Sequence, residues 1–313
     1  MIKQYFLQAL SQLRQQPLIS AVTVAGTALS ILLIMLVVMI QQVQVEPFAP
    51  ESNRDRMLHV KWQSISNEEW GDGTSNGPWS ADALHEVYGG LTTAEAVTVY
   101  SVWTAPMPVS LPGQPARSVD ARATDATFWH VFDFAFVDGK PFSEADVRSG
   151  LPVVVMTESV ARALFGTVQA TGREFLLAHA PFRVAGVVKD VSTLASTAYS
   201  QLWAPYTAMD EESNTWNDGL AGMMSCTILA KSRDDFPAIR EECNRRLAAF
   251  NTSLAEQGWK IINRNRPYDQ EKNVLSLGAN YEPDVSLARR QRWVTFAILL
   301  LVPAINLSSM TQS

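Results

Sequence analysis

The residues able to do chemistry are few and scattered. His59, His85, His130 and His179 stand singly. A metal would need the fold to gather them with thiols or carboxylates. Residues 72–77, Asp-Gly-Thr-Ser-Asn-Gly, open like a calcium loop, but its twelfth position is Ala83 where the ion needs a bidentate carboxylate. A turn is expected there. The chain has no phosphate-cradling Gly-x-x-x-x-Gly-Lys-Ser/Thr, no Gly-x-Ser-x-Gly elbow and no His-Glu-x-x-His pair. It is expected to be no enzyme, with no catalytic residue, cofactor or metal of its own. Cys226 and Cys243 are the two cysteines. They fall on an expected strand and on the apolar stripe of the next expected helix. A helix packed on its own strand would bring the thiols together, and an oxidising compartment would permit a disulfide. The alternative, which we favour, is two buried free thiols acting as small apolar side chains.

The charge pattern shows where elements must lie. Charged residues are 18% of the 313, below the roughly 25% of ordinary soluble chains. Two of the 25 Lys and Arg, Lys3 and Arg14, and none of the 31 Asp and Glu lie in residues 1–45. The remainder therefore carries −8 against −6 for the whole chain. That balance argues against nucleic acid as a partner. Residues 15–45 are free of charge, and residues 18–40 are apolar but for Ser20, Thr23, Thr27 and Ser30. As a helix those residues reach about 34 Å, enough for a bilayer core of about 30 Å. Lys3 and Arg14 before the span place the N-terminus in the cytoplasm and residue 46 outside. A cleaved leader would have a shorter apolar run and a small-residue cleavage site, and residues 41–46 offer none.

Residues 293–310 form a second charge-free stretch, about 27 Å as a helix, preceded by Arg289, Arg290 and Arg292. Within this second span Pro303 and Asn306 are candidates for a helix–helix contact, since lipid leaves a freed carbonyl and an amide needing partners. Residues 1–16 place Ile2, Phe6, Ala9, Leu10 and Leu13 on one helical face, which fits an amphipathic helix on the cytoplasmic membrane face. The expected organisation is this helix (1–16), transmembrane helix 1 (17–42), a periplasmic or extracellular core domain (43–288) and transmembrane helix 2 (289–313).

The domain between the spans reads as α+β. Residues 51–56 are polar and predict a linker, residues 71–80 a turn-rich loop. Residues 57–63, 81–90 and 96–103 predict strand, helix and strand. Residues 224–230, 234–257 and 259–263 repeat that order, with Phe236, Ile239, Cys243, Leu247, Phe250 and Leu254 at helical spacing. Two such β-α-β units can build a ferredoxin-like sheet. Between them, strands at 119–122, 152–156, 173–177, 182–188 and 201–204 and a helix at 157–164 predict an inserted strand-rich subdomain over about residues 105–210.

Several pieces in order carry a family resemblance. They are Asp125-Ala-Thr-Phe-Trp-His-Val-Phe-Asp-Phe134, Asp138-Gly-Lys-Pro-Phe142, Val153-Val-Val-Met-Thr-Glu-Ser-Val-Ala161 with Leu164-Phe-Gly166, Gly172-Arg173, Phe182-Arg-Val-Ala-Gly-Val-Val-Lys-Asp190, Trp203-Ala-Pro-Tyr206 and Asn306-Leu307. Together they resemble the MacB/FtsX-like ABC transporter permeases, in the half that holds the periplasmic core domain. Lys140 stands where that family often has Arg. The resemblance implies a permease subunit in the bacterial inner membrane, paired with a second permease subunit and a cytoplasmic ABC ATPase. ATP and Mg would sit on that ATPase. ATP hydrolysis would be coupled to periplasmic motion, mechanotransmission, for efflux or extraction of a substrate. The N-terminal helix, the stalk residues flanking 43–56 and 284–292, and the Asn306 region would carry the motion. Family permeases of this type have two further spans, so a chain stopping at Ser313 corresponds to the N-terminal part. The rival readings are a membrane-anchored sensor or binding module without an ATPase, and a tethered enzyme.

Overall fold

The computed structural model describes residues 17–312, so the amphipathic helix expected at 1–16 lies outside the described residues. The chain divides into two units, residues 45–283 and the two termini, residues 1–44 with 284–313. In the terminal unit, α1 (Pro17–Val45) starts on a proline, whose fixed φ suits the first helical position. Its apolar side chains, among them Leu18, Val22, Leu29, Leu32 and Met39, are exposed, whereas Ser20, Thr23 and Ser30 are buried. Ser30 donates to the Gly26 carbonyl one turn back (2.9 Å). Apolar outside and hydroxyl inside inverts the pattern of a water-soluble helix and suits lipid. Among the described residues this is the one helix long and apolar enough to cross a membrane.

The large unit begins with β1 (Met57–Val60), β2 (Gln63–Asn67), β3 (Ser75–Gly77), α2 (Ala81–Tyr88) and β4 (Ala96–Ser101). Ser80 caps α2 by accepting the Ala83 N–H. The middle section supplies β5 (Ala105–Ser110), β6 (Arg117–Thr124), α3 (Phe128–Val131), β7 (Phe136–Gly139), α4 (Glu144–Arg148), β8 (Val153–Thr157), α5 (Glu158–Phe165), β9 (Glu174–Leu177), β10 (Ala180–Val188) and β11 (Leu202–Pro205). The domain closes with β12 (Met224–Leu229), α6 (Phe236–Leu254), β13 (Trp259–Ile262), β14 (Tyr268–Asp269) and α7 (Gln270–Leu275).

At one end the sheet runs β14-β1-β12-β4, with antiparallel neighbours throughout. β1 and β4 are therefore parallel to each other and joined through α2, as β12 and β14 are through α6. The two helices pack on each other. The stripe read from the sequence on α6 is buried at Phe236, Ile239, Cys243, Leu247 and Leu254. The strand expected to close the second unit, at 259–263, goes elsewhere. β13 pairs with β2, which also pairs with β3 in a separate small sheet. The Asn251 side chain of α6 holds β13 by binding both N–H and C=O of Ile261. The two-residue β14 takes the vacated place beside β1. The 71–80 loop supplies β3, and the single strand expected at 57–63 breaks into β1 and β2.

In the middle section, β6, β11, β8, β10, β9 and β5 pair in sequence, and β5 returns to β6, so six strands close a ring. The ring stays continuous with the rest of the sheet where Tyr100 of β4 faces Thr124 of β6. Its core is mostly aliphatic: Val109, Val119, Val154, Met156, Leu177, Val184 and Leu202, with Phe175 and Phe182. Val153, Val155 and Trp203 point the other way, into the aromatic core around Phe128 and Phe142. Burial on both faces explains why β8 reads Val-Val-Val-Met-Thr without alternation. β5 escapes sequence reading because Pro106 and Pro108 interrupt it. Pro106 pairs with β6, and on the other edge Pro108 only accepts, from the Ala178 N–H, so neither position needs a donor there. The last helix, α8 (Val285–Gln312), belongs to the terminal unit and is capped by Asp284, which accepts the Ser286 and Leu287 N–H groups (2.8 and 3.0 Å). Pro303 and Asn306 lie in α8, and their side chains are outside the described residues.

Candidate functional site: a buried charge anchor and the cleft beyond it

The polar segment 51–56, expected as a linker, is among the most tightly held parts of the domain. Glu51 and Arg54 are each 1% exposed and meet at 2.6 Å. Glu51 also accepts the N–H groups of Thr197 and Ala198, both at 2.8 Å. Arg54 donates to the carbonyls of Glu46 (3.0 Å) and Leu194 (3.1 Å), and its guanidinium lies over the Phe48 ring at 4.3 Å. Arg56 adds bonds to Glu95 (2.9 Å) and to the Ala230 carbonyl (2.8 Å). Asp133 donates its N–H to the Pro50 carbonyl (2.8 Å). Residues 46–56 are thus tied to four distant stretches of the chain. A buried pair this fully bonded costs about 3–5 kcal/mol when one partner is removed, because the other charge is left uncompensated. The only hint in the sequence is the Glu-x-x-Arg spacing, which is common on surfaces.

The outgoing segment is held too. Glu282 accepts from Asn265 (2.7 Å) and from Lys272, and the Ala279 carbonyl accepts from Ser64 (2.7 Å) and Arg266 (2.8 Å). Burial pushes the Glu282 carboxyl up, but the Lys272 and Asn265 bonds outweigh it and hold the group below its ordinary value. Both ends of the domain's chain are therefore fastened to its body by side-chain bonds.

A cleft of about 720 Å³ opens beside β4, between the end of α2 and α3–α4. His85, Glu95, Asp125, His130, Glu144 and Tyr206 give it polar groups over an apolar floor. Asp125 is buried and accepts from Thr98 (2.7 Å), the Val99 N–H (2.8 Å) and the Phe128 N–H (3.0 Å). Burial pushes its carboxyl up to about 7 despite those three bonds. His85 meets the Tyr206 hydroxyl at 3.4 Å, and His130 meets Glu95 at 3.3 Å. The cleft thus presents two pairs of hydrogen-bonding side chains, His85 with Tyr206 and His130 with Glu95.

The other sequence candidates separate. His59 is buried on β1, bonded to Thr227 (3.1 Å), and burial followed by the Arg54 charge pushes it down to about 3. His179 sits in the β9–β10 turn. Asn76 lies in β3 and Ala83 in α2, so residues 72–83 form no ion loop. Among the described residues no group of three or more His, Cys, Asp or Glu side chains is placed to hold a metal. Cys226 and Cys243 are both buried, with no bond between them in this structure. They pack as small apolar residues in the aromatic core. Burial raises both, Cys243 to about 12, with the neighbouring Glu242 adding to its shift.

The motif residues prove to be architectural. Phe128, Trp129, Phe134, Phe142 and Trp203 form one edge-to-face aromatic cluster with ring centroids 5.0 to 6.0 Å apart. Gly139 and Gly186 meet where β7 crosses β10. A Cβ on Gly139 would lie 2.3 Å from the Ala185 oxygen, and one on Gly186 would lie 2.7 Å from the Lys140 oxygen. Asp138 accepts from Ala170, Thr171 and the Thr171 hydroxyl (2.9, 2.9 and 2.7 Å), which hold its carboxyl low. The family model described as the MacB-like periplasmic core domain matches residues 20–246. The chain belongs to that family.

Its curated relatives include two proteins named macrolide export ATP-binding/permease protein MacB. That of Chromobacterium violaceum is 32% identical over 94 residues, 29% of this chain and 15% of the relative. That of Wolinella succinogenes is 33% identical over 84 residues, 27% of this chain and 13% of the relative. The matches thus span about a seventh of those longer proteins. Among solved structures, the periplasmic region of MacB from Actinobacillus actinomycetemcomitans aligns at TM-score 0.44 and 17% identity, over 64% of this chain and 88% of that one. The extracellular domain of the transporter YknZ from Gram-positive bacteria aligns at 0.45 and 13%, over 64% of this chain and all of that one. A MacB-like core domain joined to a helix of spanning length is the arrangement of a membrane-anchored protein, and the matched family is that of a permease domain of ABC transporters.

Proposed function

We propose that this chain is the N-terminal part of a MacB/FtsX-like permease subunit, in which a partner ABC ATPase drives motion of the core domain to export or extract a substrate. In this reading ATP and Mg stay on the partner, α1 and α8 are both spans with the N-terminus cytoplasmic, and two permease subunits pair in the bilayer. The strand order β14-β1-β12-β4 with α2 and α6 is read as a ferredoxin-like base. The observation that carries the proposal is the family match over residues 20–246. The buried Glu51–Arg54 pair supports it, because a segment bound to four parts of the domain transmits displacement where a flexible linker would absorb it. The test is co-purification in mild detergent with each ABC ATPase of the same genome. A stoichiometric complex with one of them is expected, and Arg54→Ala should weaken the phenotype that depends on that ATPase at least tenfold. A phenotype that persists in a strain lacking every such ATPase would overturn the proposal and leave a membrane-anchored sensor.

A further inference from the structure

Two tryptophans, Trp70 and Trp216, stand 41% and 40% exposed on the domain surface. Trp70 packs on Trp259, which is itself buried, and Trp216 flanks the stretch that holds the same indole. Trp70 meets Trp259 edge to face at 5.1 Å, and the Trp259 N–H donates to Asp218 at 2.8 Å. Trp216 lies two residues before Asp218 and would touch a Cβ on Gly77 at 3.8 Å. An antiparallel bridge to Ala221 holds its backbone, and Asn217 bonds to Ser75 at 3.0 Å. The rings are therefore held in place before any partner arrives, which lowers the ordering cost of binding.

The charge around them is one-sided. Residues 62–80 and 205–223 together hold seven Asp and Glu and no Lys or Arg, against a net −6 for the whole chain. Lys61, directly before the first stretch, packs over the Trp62 ring at 5.2 Å, Arg264 is bonded to Ser64, and Lys260 is the base on β13. Exposed aromatic faces attract guanidinium and ammonium groups, by about 0.5–1 kcal/mol each in water and more when desolvated. A carboxylate field steers the same groups in from a distance. The same field repels an anionic membrane surface and a second copy of this face. We propose that this surface docks a Lys- and Arg-rich segment of a partner polypeptide, its cationic side chains lying over Trp70 and Trp216.

The test uses the full chain in uncharged detergent, without nucleotide or ATPase, so that its outcome is independent of the permease reading. Fluorescent hexa-arginine is titrated, with hexa-glutamate and spermine as controls. Saturable binding of hexa-arginine is expected, and none of hexa-glutamate. Trp70→Ala and Trp216→Ala should each weaken it at least threefold, and together at least tenfold. Glu69→Gln with Asp72→Asn and Glu212→Gln should weaken it tenfold at low salt and flatten its salt dependence. These charge changes lie on exposed side chains and test the proposal even if a Trp variant unfolds. No saturable binding, or binding unchanged by both sets of substitutions, overturns the proposal. Spermine binding as tightly as hexa-arginine without need of either Trp also overturns it, as plain polycation attraction.

Discussion

The two ends of the long sheet are built from different materials. Around β14-β1-β12-β4 the interior holds large aromatics together with Glu51, Arg54, His59, Asp125, Glu242 and Arg266, all buried. The six-stranded ring is filled by Val, Leu, Ala, Met and Phe, and the buried charge on its strand β6, Arg122, donates to the Ser101 and Tyr199 carbonyls. Buried charge is expensive unless its lone pairs and protons find partners. Those of Glu51, Asp125 and Glu242 are met by several donors each, whereas the Arg266 Nε–H finds none. Glu242 shows the principle. Burial pushes its carboxyl up, yet the N–H and hydroxyl groups of Thr92 and Thr93 outweigh that and bring it down to about 2. A region specified by hydrogen-bonded charges has one way to fit. An aliphatic core tolerates exchange so long as volume is kept.

That contrast can be broken or sharpened by substitution. The largest effect is expected at Arg54. Arg54→Ala should lower stability by about 3–5 kcal/mol in urea unfolding followed by tryptophan fluorescence, since Glu51 is left buried and unpaired. Arg54→Lys should recover little, because an ammonium cannot reach the Glu51, Glu46 and Leu194 oxygens that the guanidinium fork spans. Removing Glu51 and Arg54 together should cost less than the sum of the two single changes. A strictly additive double variant would show that the pair is not the unit of stability.

The second effect is on pH dependence. His59 is pushed down to about 3, so the unfolded chain binds a proton below about pH 6.5 that the folded one refuses. Its contribution is complete above pH 6.5 and lost as pH falls. Asp125 is pushed up to about 7, so the folded state binds the extra proton and is favoured at low pH, losing that advantage as pH rises through 7. Between about pH 4 and 6.5 the two slopes oppose each other at about 1.4 kcal/mol per pH unit each. His59→Gln should therefore leave stability falling with rising pH, and Asp125→Asn should leave it rising. Identical pH profiles for the two variants would show that neither group titrates this way.

In the ring, Met156→Leu should cost less than about 1.5 kcal/mol and leave the pH profile unchanged. A cost matching that of Arg54→Lys would erase the distinction between the regions. The smallest effect is at the β9–β10 turn, where Ala178 and His179 both hold positive φ, 47° and 70°. Ala178→Asn with His179→Gly supplies residues suited to such a turn and should raise stability by about 1 kcal/mol. No gain would mean that the turn is not strained.

Much of the fold was legible locally. α2, β4, β12 and α6 were readable because each has a cap, an alternation or an i, i+3, i+4 stripe within its own segment. β5 was hidden by its prolines, and β2 and β3 by the polar look of strands with one wet face. The place of β13 was not readable at all, because Trp259–Ile262 suits either sheet and the choice is made by Asn251 and β2. The same holds at the site. The motif glycines and aromatics could be found in order along the chain. The Glu51–Arg54 anchor looked like a linker, since its partners Leu194, Thr197 and Ala198 lie about 140 residues away.

By itself, the sequence determined the charge-free N-terminal span, the α+β character of the core domain and its family, because these rest on composition, periodicity and ordered short motifs. Tertiary structure alone decided that the middle strands close a ring, that Glu51 and Arg54 are buried as a pair, and that Trp70 packs edge to face on the buried Trp259. Ring closure, burial and surface juxtaposition are relations between residues far apart in the chain, and no local pattern encodes them.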